Sequence, residues 1–555
     1  AAAMIIGNLL MNINFAELPG QSNLFLDYLY EFENVSKFYP KNIRSKETLS
    51  DHFKNLGSRN QEIKSFIADI LVSNYSSEKT SELTNKNLSL LSKQNTIPIV
   101  TGQQLGILTG PLYTIYKIIT SIKLAEQLNN RFTEYNFIPV FWLEGDDHDF
   151  EEIRGITLLN EQNELTSLFY TDNLSEDENR GSVGNLKIKD SINDFFSTFK
   201  ASLRNTEFKS DQIELLKDAY KSGKTFKEAI KHLIKFLFDK NGLLIFDPQQ
   251  NSIKQLLKPI FKKEILDFRI HSEKLIEVSA DLEELYHAQV KVRPINLFMN
   301  YDGGRFLIEP NDDKTFRLKN KRVKFTEDEM LSLIENQPEL FSPNVLLRPI
   351  CQDYLLNSGC YIAGPGEIAY FAQAIPLYQF YGVESPIIYP RSSATIVEKN
   401  NVSILEKYKL DVRDFFFRNE EVVDKLIKNI AVITVDQLFS DAIKEEDRIF
   451  NHLKNELLGI DKPISDLSDK YLMKVKSALE EFKSKAFEAE KRKYENAVKQ
   501  VNKVLIHLLP NGSLQEREFN YFYYSNKYGT EFINLLFNEL TINNFEHQKI
   551  GRARV

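Results

Sequence analysis

Five short apolar runs, each stopping at a polar loop, constrain this chain more than any other feature. Ile97–Val100 (IPIV) enters TGQQ, Phe137–Leu143 (FIPVFWL) enters EGDDHDF, and Leu243–Phe246 (LLIF) enters DPQQ. Cys360–Ala363 (CYIA) enters GPGE, and Pro386–Tyr389 (PIIY) enters PRSSAT. The runs are nearly continuous in apolar character and do not alternate, so each strand should be buried on both faces, as parallel strands covered by helices are. An open parallel sheet binds ligands at the carboxyl ends of its strands. All five polar loops sit at those ends.

Helical patterning lies between the runs. After Gly110 and Pro111, residues Ile115, Ile118, Ile119, Ile122 and Ala125 form a stripe at spacings of three and four, and the next strand follows shortly after. This is a βαβ unit, with Pro111 suited to a first helical turn. Other inter-strand lengths are too long for simple crossovers, so roughly 154–235 and 262–345 are expected to carry inserted helical subdomains. The second carries NLFMNY and GRFLIEP around Asp302-Gly303-Gly304, a hairpin signal.

The expected domains are a core over 4–395 with those two insertions, a connection over 396–439, a helical arm over 440–509, and a segment over 510–555 returning to the core. In the arm, Ile443, Phe450, Leu453, Leu457, Ile460 and Ile464 keep heptad spacing until Gly459 and Pro463 interrupt it. Val475, Leu479, Phe482, Ala486 and Ala489 resume it, and the register slips near Lys493. A helix of about 45 residues, about 67 Å long, cannot bury its seam alone. A helical hairpin or a coiled coil with a second chain is expected.

At 555 residues, 42% apolar and 27% charged, the chain reads as globular with two or three domains. A net charge of −8 without a basic block argues against a nucleic-acid surface. The two cysteines, Cys351 and Cys360, form neither a disulfide framework nor a zinc spacing, and fit a reducing cytoplasm. The Ala1–Ala3 opening reads as a cloning remnant, the next residues lack the marks of a signal peptide, and no membrane span is expected.

The loops carry the candidate chemistry. TGQQLGILTGP has glycines at 102, 106 and 110 whose N–H groups could attract an anion, yet it matches neither GxGxxG nor the P-loop, and the glycines could simply serve turns. EGDDHDFEE packs Glu144, Asp146, Asp147, His148, Asp149, Glu151 and Glu152 just after the sole tryptophan, Trp142. His148 could be a general base oriented by a carboxylate, the cluster could bind a divalent metal, or Asp147 or Asp149 could cap a helix. Gly364, Gly366 and Glu367 could form a tight turn opening a helix. Arg348 and Arg391 are the cations nearest strand ends and could hold carboxylates or be buried ion-pair partners.

In combination, TGQQLGILTGPLYTIYK, VFWLEGDDHDFEEI, LLRPICQDYLL, YIAGPGEIAYF, YPRSSAT and LPNGSLQEREFNYFYY resemble the bacillithiol-biosynthesis cysteine ligase family, BshC, in order and over nearly the whole chain. The resemblance implies a Rossmann-like core with inserted connective subdomains, related in fold to class I aminoacyl-tRNA ligases, and an α-helical coiled-coil domain that forms homodimers. It implies that cysteine is joined to the amine of glucosaminyl-malate, the last step towards bacillithiol. The implied pocket is lined by Thr101, Gly102, Gln103, Gln104, Tyr113, Trp142, Asp146–Asp149, Gly364–Glu367, Arg348 and Arg391. A second, nucleotide-binding pocket is implied near Ser392, Ser393, Asn511, Gly512, Gln515 and Arg517.

The sequence departs from class I ligases. TGQQ stands where HxGH would, PRSSAT where a KMSKS loop would, and no Cys/His cluster offers zinc. No tightly bound cofactor is expected; ATP or ADP enters as a co-substrate or ligand by analogy of fold. In the resulting mechanism His148 is the base, oriented by Asp146 or Asp149. The N–H groups of the Gly102–Gly106 loop bind phosphate or malate carboxylates, and Arg391 pairs with an anion. Two rivals are a metal-dependent hydrolase or phosphotransferase using the acidic cluster, and a non-catalytic dimeric scaffold.

Overall fold

The computed structural model describes residues 12–56, 61–312, 314–416, 419–431 and 435–551. The readings made for Ala1–Ala3 and for the stretch up to residue 11 lie outside them. The described chain divides into two compact units, one holding Gly20–Thr395 with Gln515–Ile550, the other built mainly of Ile396–Leu514.

The first unit is organised by strands β1 (Thr96–Gln104) and β2 (Asn136–Glu144), joined by helix α1 (Tyr113–Arg131). A short hairpin, β3 (Gly155–Leu159) with β4 (Leu165–Phe169), follows β2. Next come β5 (Leu244–Phe246), an antiparallel group β6 (Leu297–Tyr301), β7 (Gly304–Pro310), β8 (Thr315–Leu318), β9 (Lys324–Thr326) and β10 (Phe341–Pro343), then β11 (Cys360–Ala363) and β12 (Ile387–Pro390). All five apolar runs fall in one sheet of order β12-β11-β1-β2-β5, parallel throughout. Their carboxyl ends therefore share one edge. The order reverses at β1, which has β2 and β5 on one side and β11 and β12 on the other. That reversal is the switch point at which open α/β sheets form a crevice. Near-continuous burial explains the pairing: β11 and β12 are buried at every residue, and β1 from Thr96 to Gly102.

Two expectations need revision. The second insertion holds more than helices and the one expected hairpin: after a long helix, Lys258–Leu285, it forms the five-stranded antiparallel sheet β10-β6-β7-β8-β9, in which the Asp302–Gly303 turn joins β6 to β7 as the sequence signalled. The first insertion begins with the β3–β4 hairpin before its helices. Alternating strands such as TFRL carry too few apolar residues to stand out in sequence, because one face is exposed.

In the second unit, α2 (Val435–Leu458) and α3 (Lys462–Lys493) form an antiparallel hairpin turning at Gly459–Asp461. Phe439 meets Phe482 with ring centroids 5.4 Å apart, and Lys476–Asp447 (2.6 Å), Lys454–Asp469 (2.7 Å) and Lys483–Asp436 (2.9 Å) tie the two helices. The expected 45-residue helix is broken at Tyr494, where the register slips, and resumes over Glu495–Leu508.

Candidate active site

A cavity of about 1020 Å³ opens at the switch point. Its floor comes from Gly102–Gln104 at the end of β1, Gly364–Glu367 after β11, and Tyr113 and Lys117 on the first turns of α1. Eight lysine and arginine side chains line it against four carboxylates, in a chain whose net charge is −8. The site concentrates positive potential where the molecule as a whole is acidic, which favours an anionic ligand.

Lys117 is the innermost cation. Its side chain is 1% exposed, and Nζ donates to Glu367 Oε2 at 2.6 Å, Gln103 Oε1 at 3.2 Å and the Gly102 carbonyl. Burial pushes the ammonium down and Glu367 opposes this. Burial would raise the Glu367 carboxyl, but Lys117 and the Gly364 N–H hold it below its ordinary range. Tyr361 Oη donates to the other Glu367 oxygen at 2.7 Å. Glu367 also receives the Gly364 N–H at 2.8 Å, so it closes the first turn of the helix Pro365–Tyr381.

The glycine loop is held largely by its own backbone and by Tyr220, Phe519 and Asn520. β1 continues to Gln104, with Gly102, Gln103 and Gln104 in register with Trp142, Leu143 and Glu144, so these residues belong to the ladder. Beyond it, the N–H groups of Gly106, Leu108, Gly110 and Leu112 are already donated to Gln104, Tyr220, Ile107 and Phe519. A Cβ on Gly106 would lie 2.7 Å from Gly110 Cα, so the loop closes on itself only with glycine there. Leu108 and Thr109 are held at positive φ, 54° and 72°, a costly conformation for both residue types. Asn520 Nδ2 fixes the loop by donating to the Leu108 and Gly110 carbonyls, each at 2.7 Å.

The acidic loop disperses. Asp146 is buried and pairs with Lys254 Nζ at 2.6 Å, with Gln249 Nε2 at 3.1 Å. Asp149 caps the turn Phe150–Ile153 through the Glu152 N–H at 3.0 Å. Neither orients His148, contrary to expectation; burial assigns one to an internal cation and helix geometry takes the other. Asp147 and His148 do line the cavity. Burial would raise the Asp147 carboxyl, yet the His148 ring 3.4 Å away, hydrogen bonds from Gln104 and the His148 main-chain N–H, and the Arg305 charge hold it well below the usual carboxylate range. Among the described residues, no group of three or more His, Cys, Asp or Glu is placed to hold a metal ion.

Three arginines complete the wall. Arg348 lies 3.5 Å from Glu144 Oε2 and reaches Tyr370 Oη. Burial raises the Glu144 carboxyl, with Arg348 opposing. Arg391 donates to Glu516 Oε1 at 2.6 Å and stands over the Tyr113 ring at 5.4 Å. Glu516 is fixed in turn by the Ala394 N–H at 3.0 Å and Ser393 Oγ at 2.9 Å. Arg305, on β7, comes from the inserted sheet and was invisible in sequence. It stacks on Phe298 at 3.8 Å and donates to Ser342 Oγ at 2.8 Å and the Pro343 carbonyl at 3.0 Å.

Of the other residues expected in the pocket, Gly102, Gln103, Gln104, Tyr113, Gly364, Gly366, Glu367, Arg348 and Arg391 line it. Thr101 and Trp142 do not. Thr101 Oγ1 is spent on the Ile362 carbonyl, while Trp142 stacks on Phe246 and donates to Glu144. The residues assigned to a second pocket fall in both compact units. Arg517 lines this same cavity, Ser392, Ser393 and Gln515 are buried, and Asn511 and Gly512 belong to a turn of the second unit. Lys117 could have been found four residues after Tyr113, on the same helical face.

The described geometry can be set beside known proteins. The family model for the N-terminal Rossmann-like domain of bacillithiol biosynthesis BshC matches residues 11–392, and that for the BshC C-terminal coiled-coil domain matches 394–551. The chain belongs to the BshC family. Among relatives named "Putative cysteine ligase BshC", that of Salinibacter ruber is 35% identical over 97% of each chain. That of Chloroherpeton thalassium is 33% identical over 93% of this chain and 94% of its own. Residues Gln515–Ile550, which fall within the coiled-coil match, here belong to the compact unit of the BshC Rossmann-like sheet.

Proposed function

We propose that this BshC-family chain is a cysteine ligase that joins the carboxyl of cysteine to the amine of glucosaminyl-malate, completing bacillithiol. The observation that carries the reading is the cation-rich cavity at the sheet's switch point, in a family whose relatives are named as cysteine ligases. A malate-bearing substrate presents two carboxylates, and arginines hold carboxylates in fixed geometry. The cavity is large enough for two small substrates side by side. A carboxylate is a poor electrophile, so amide formation needs activation, and a nucleoside triphosphate is the proposed co-substrate. The chain's own contribution is to hold the amine in line with the activated carbonyl and to exclude water.

The protein is proposed to work in the cytoplasm as a homodimer joined through the arm. Two free, buried cysteines suit a reducing compartment, and no helix among the described residues is long and apolar enough to cross a membrane. Ile464, Leu467, Tyr471 and Val475 leave an apolar stripe exposed on α3.

The deciding experiment incubates the purified protein with cysteine, glucosaminyl-malate and ATP, and scores bacillithiol with AMP or ADP by mass spectrometry. Product with stoichiometric nucleotide cleavage is expected. Absence of product with every candidate nucleotide would overturn the reading and favour a scaffold.

A further inference from the structure

We infer that His148 acts as a hydrogen-bond donor through Nε2, and that Arg305 is the positioning residue that fixes it in that form. Arg305 Nη1 lies 2.9 Å from His148 Nδ1. A guanidinium has only donors to offer, so at this distance Nδ1 must accept. The competing partner for Nδ1 is Asp147 Oδ1 at 3.4 Å, beyond the usual range for an N–H···O bond. Asp147 is instead committed to Gln104 and, at 2.6 Å, to the His148 main-chain N–H. With its Nδ1 lone pair filled, a neutral imidazole carries its proton on Nε2.

Arg305 is well placed to enforce this. It is 5% exposed and held by Ser342, Pro343 and the Phe298 ring, so it cannot swing away without losing all three. His148 itself is about half exposed, lines the cavity and tilts against Phe298 at 5.5 Å. No described residue occupies Nε2.

The consequence reverses the role first expected for this histidine. To take a proton from the attacking amine, the ring would have to accept it at Nδ1, against a fixed guanidinium. Donating the Nε2–H to an oxygen of the activated carboxyl or of its leaving group needs no rearrangement. The charged groups around the ring are Arg305 from the inserted sheet and Asp147 from its own loop; Glu144 and Asp146 act on Arg305.

This inference deepens the ligase reading and rests on it, but its first test does not. Long-range ¹⁵N–¹H correlation spectra of full-length, histidine-labelled protein report each ring's tautomer, with His148 assigned by its loss in His148→Gln. An Nε2–H pattern is expected, and an Nδ1–H pattern would overturn the proposal. In the ligase assay, His148→Ala is expected to lose about 100-fold in kcat, as removal of a donor does. His148→Gln, whose amide can donate from a similar place, is expected to stay within about tenfold of wild type. Glutamine as inert as alanine would overturn the donor role. A wild-type protein that forms no product would defeat the ligase reading alone, and the tautomer would still be read from the spectra.

Discussion

Lys117 and Glu367 meet at 2.6 Å across the switch point of the sheet, one on the helix after β1 and the other on the helix after β11. The pair ties the two halves of the sheet together at the cavity floor. Removing one partner leaves the other charged and buried. Lys117→Met is therefore expected to destabilise the first unit by about 3–5 kcal/mol. The double variant with Glu367→Gln should recover most of that loss, as read by urea denaturation with Trp142 fluorescence. Equal losses in the single and double variants would show that the pair is not coupled.

Arg391 depends on Glu516 for its position. Glu516→Gln keeps the shape but removes the charge that holds the guanidinium, and binding of malate or glucosaminyl-malate should weaken by about tenfold. Arg391→Lys should weaken it at least as much, because an ammonium cannot reproduce the fork. Calorimetric titration at constant ionic strength measures both, and wild-type affinity in Glu516→Gln would reject the dependence.

His547 gives the first unit a defined pH response. Burial lowers its imidazole to about 4, with Ser393 and Thr395 hydroxyls 2.7 and 2.8 Å from its ring nitrogens. Arg391 and Lys549 add to the lowering, while Glu516 opposes it. The unfolded chain takes up this proton first, near pH 6.5, so the stabilisation is complete above that value and is lost as pH falls towards 4. Its full size is about 3 kcal/mol. Asp353 works in the opposite direction. Burial raises its carboxyl to about 6, so its contribution falls as pH rises from about 4 to 6. His547→Asn should flatten or invert the stability–pH curve in that window, and Asp353→Asn should steepen it; denaturation midpoints at half-unit pH steps would show both.

The apolar stripe on α3 leads to a separate expectation. Leu467→Glu with Tyr471→Glu should convert a dimer to a monomer in sedimentation velocity without loss of helicity, since both side chains are about half exposed. An unchanged sedimentation coefficient would rule out this stripe as the proposed subunit contact.

The sheet was legible because doubly buried strands write themselves as unbroken apolar runs, and Ile97–Val100 and Cys360–Ala363 have no other reading at that length. The cavity floor was legible for a related reason: its residues follow those runs directly. What sequence reasoning misplaced depends on partners distant along the chain. Asp146 looked like a site carboxylate until Lys254 was seen beside it, 108 residues on. Arg305 sits next to a turn and carries no local mark of its role, since Phe298, Ser342 and His148 become its neighbours only through the inserted sheet. Trp142 was conspicuous as the sole tryptophan, but its surroundings are core. How the glycine loop is anchored was not legible either, because the partners of the Leu108 and Leu112 N–H groups, Tyr220 and Phe519, are distant along the chain and no local pattern reveals them.

The bond from Arg391 to Glu516 spans 125 residues, with the helical hairpin lying between them in the chain. During synthesis, all five strands of the sheet leave the ribosome before the seat of that guanidinium exists. The strands are therefore all available while the cavity wall still lacks the carboxylate that seats Arg391. Interruption anywhere in the hairpin would leave the first unit without Gln515–Ile550, and so without both the carboxylate that seats Arg391 and the Asn520 amide that fixes the glycine loop.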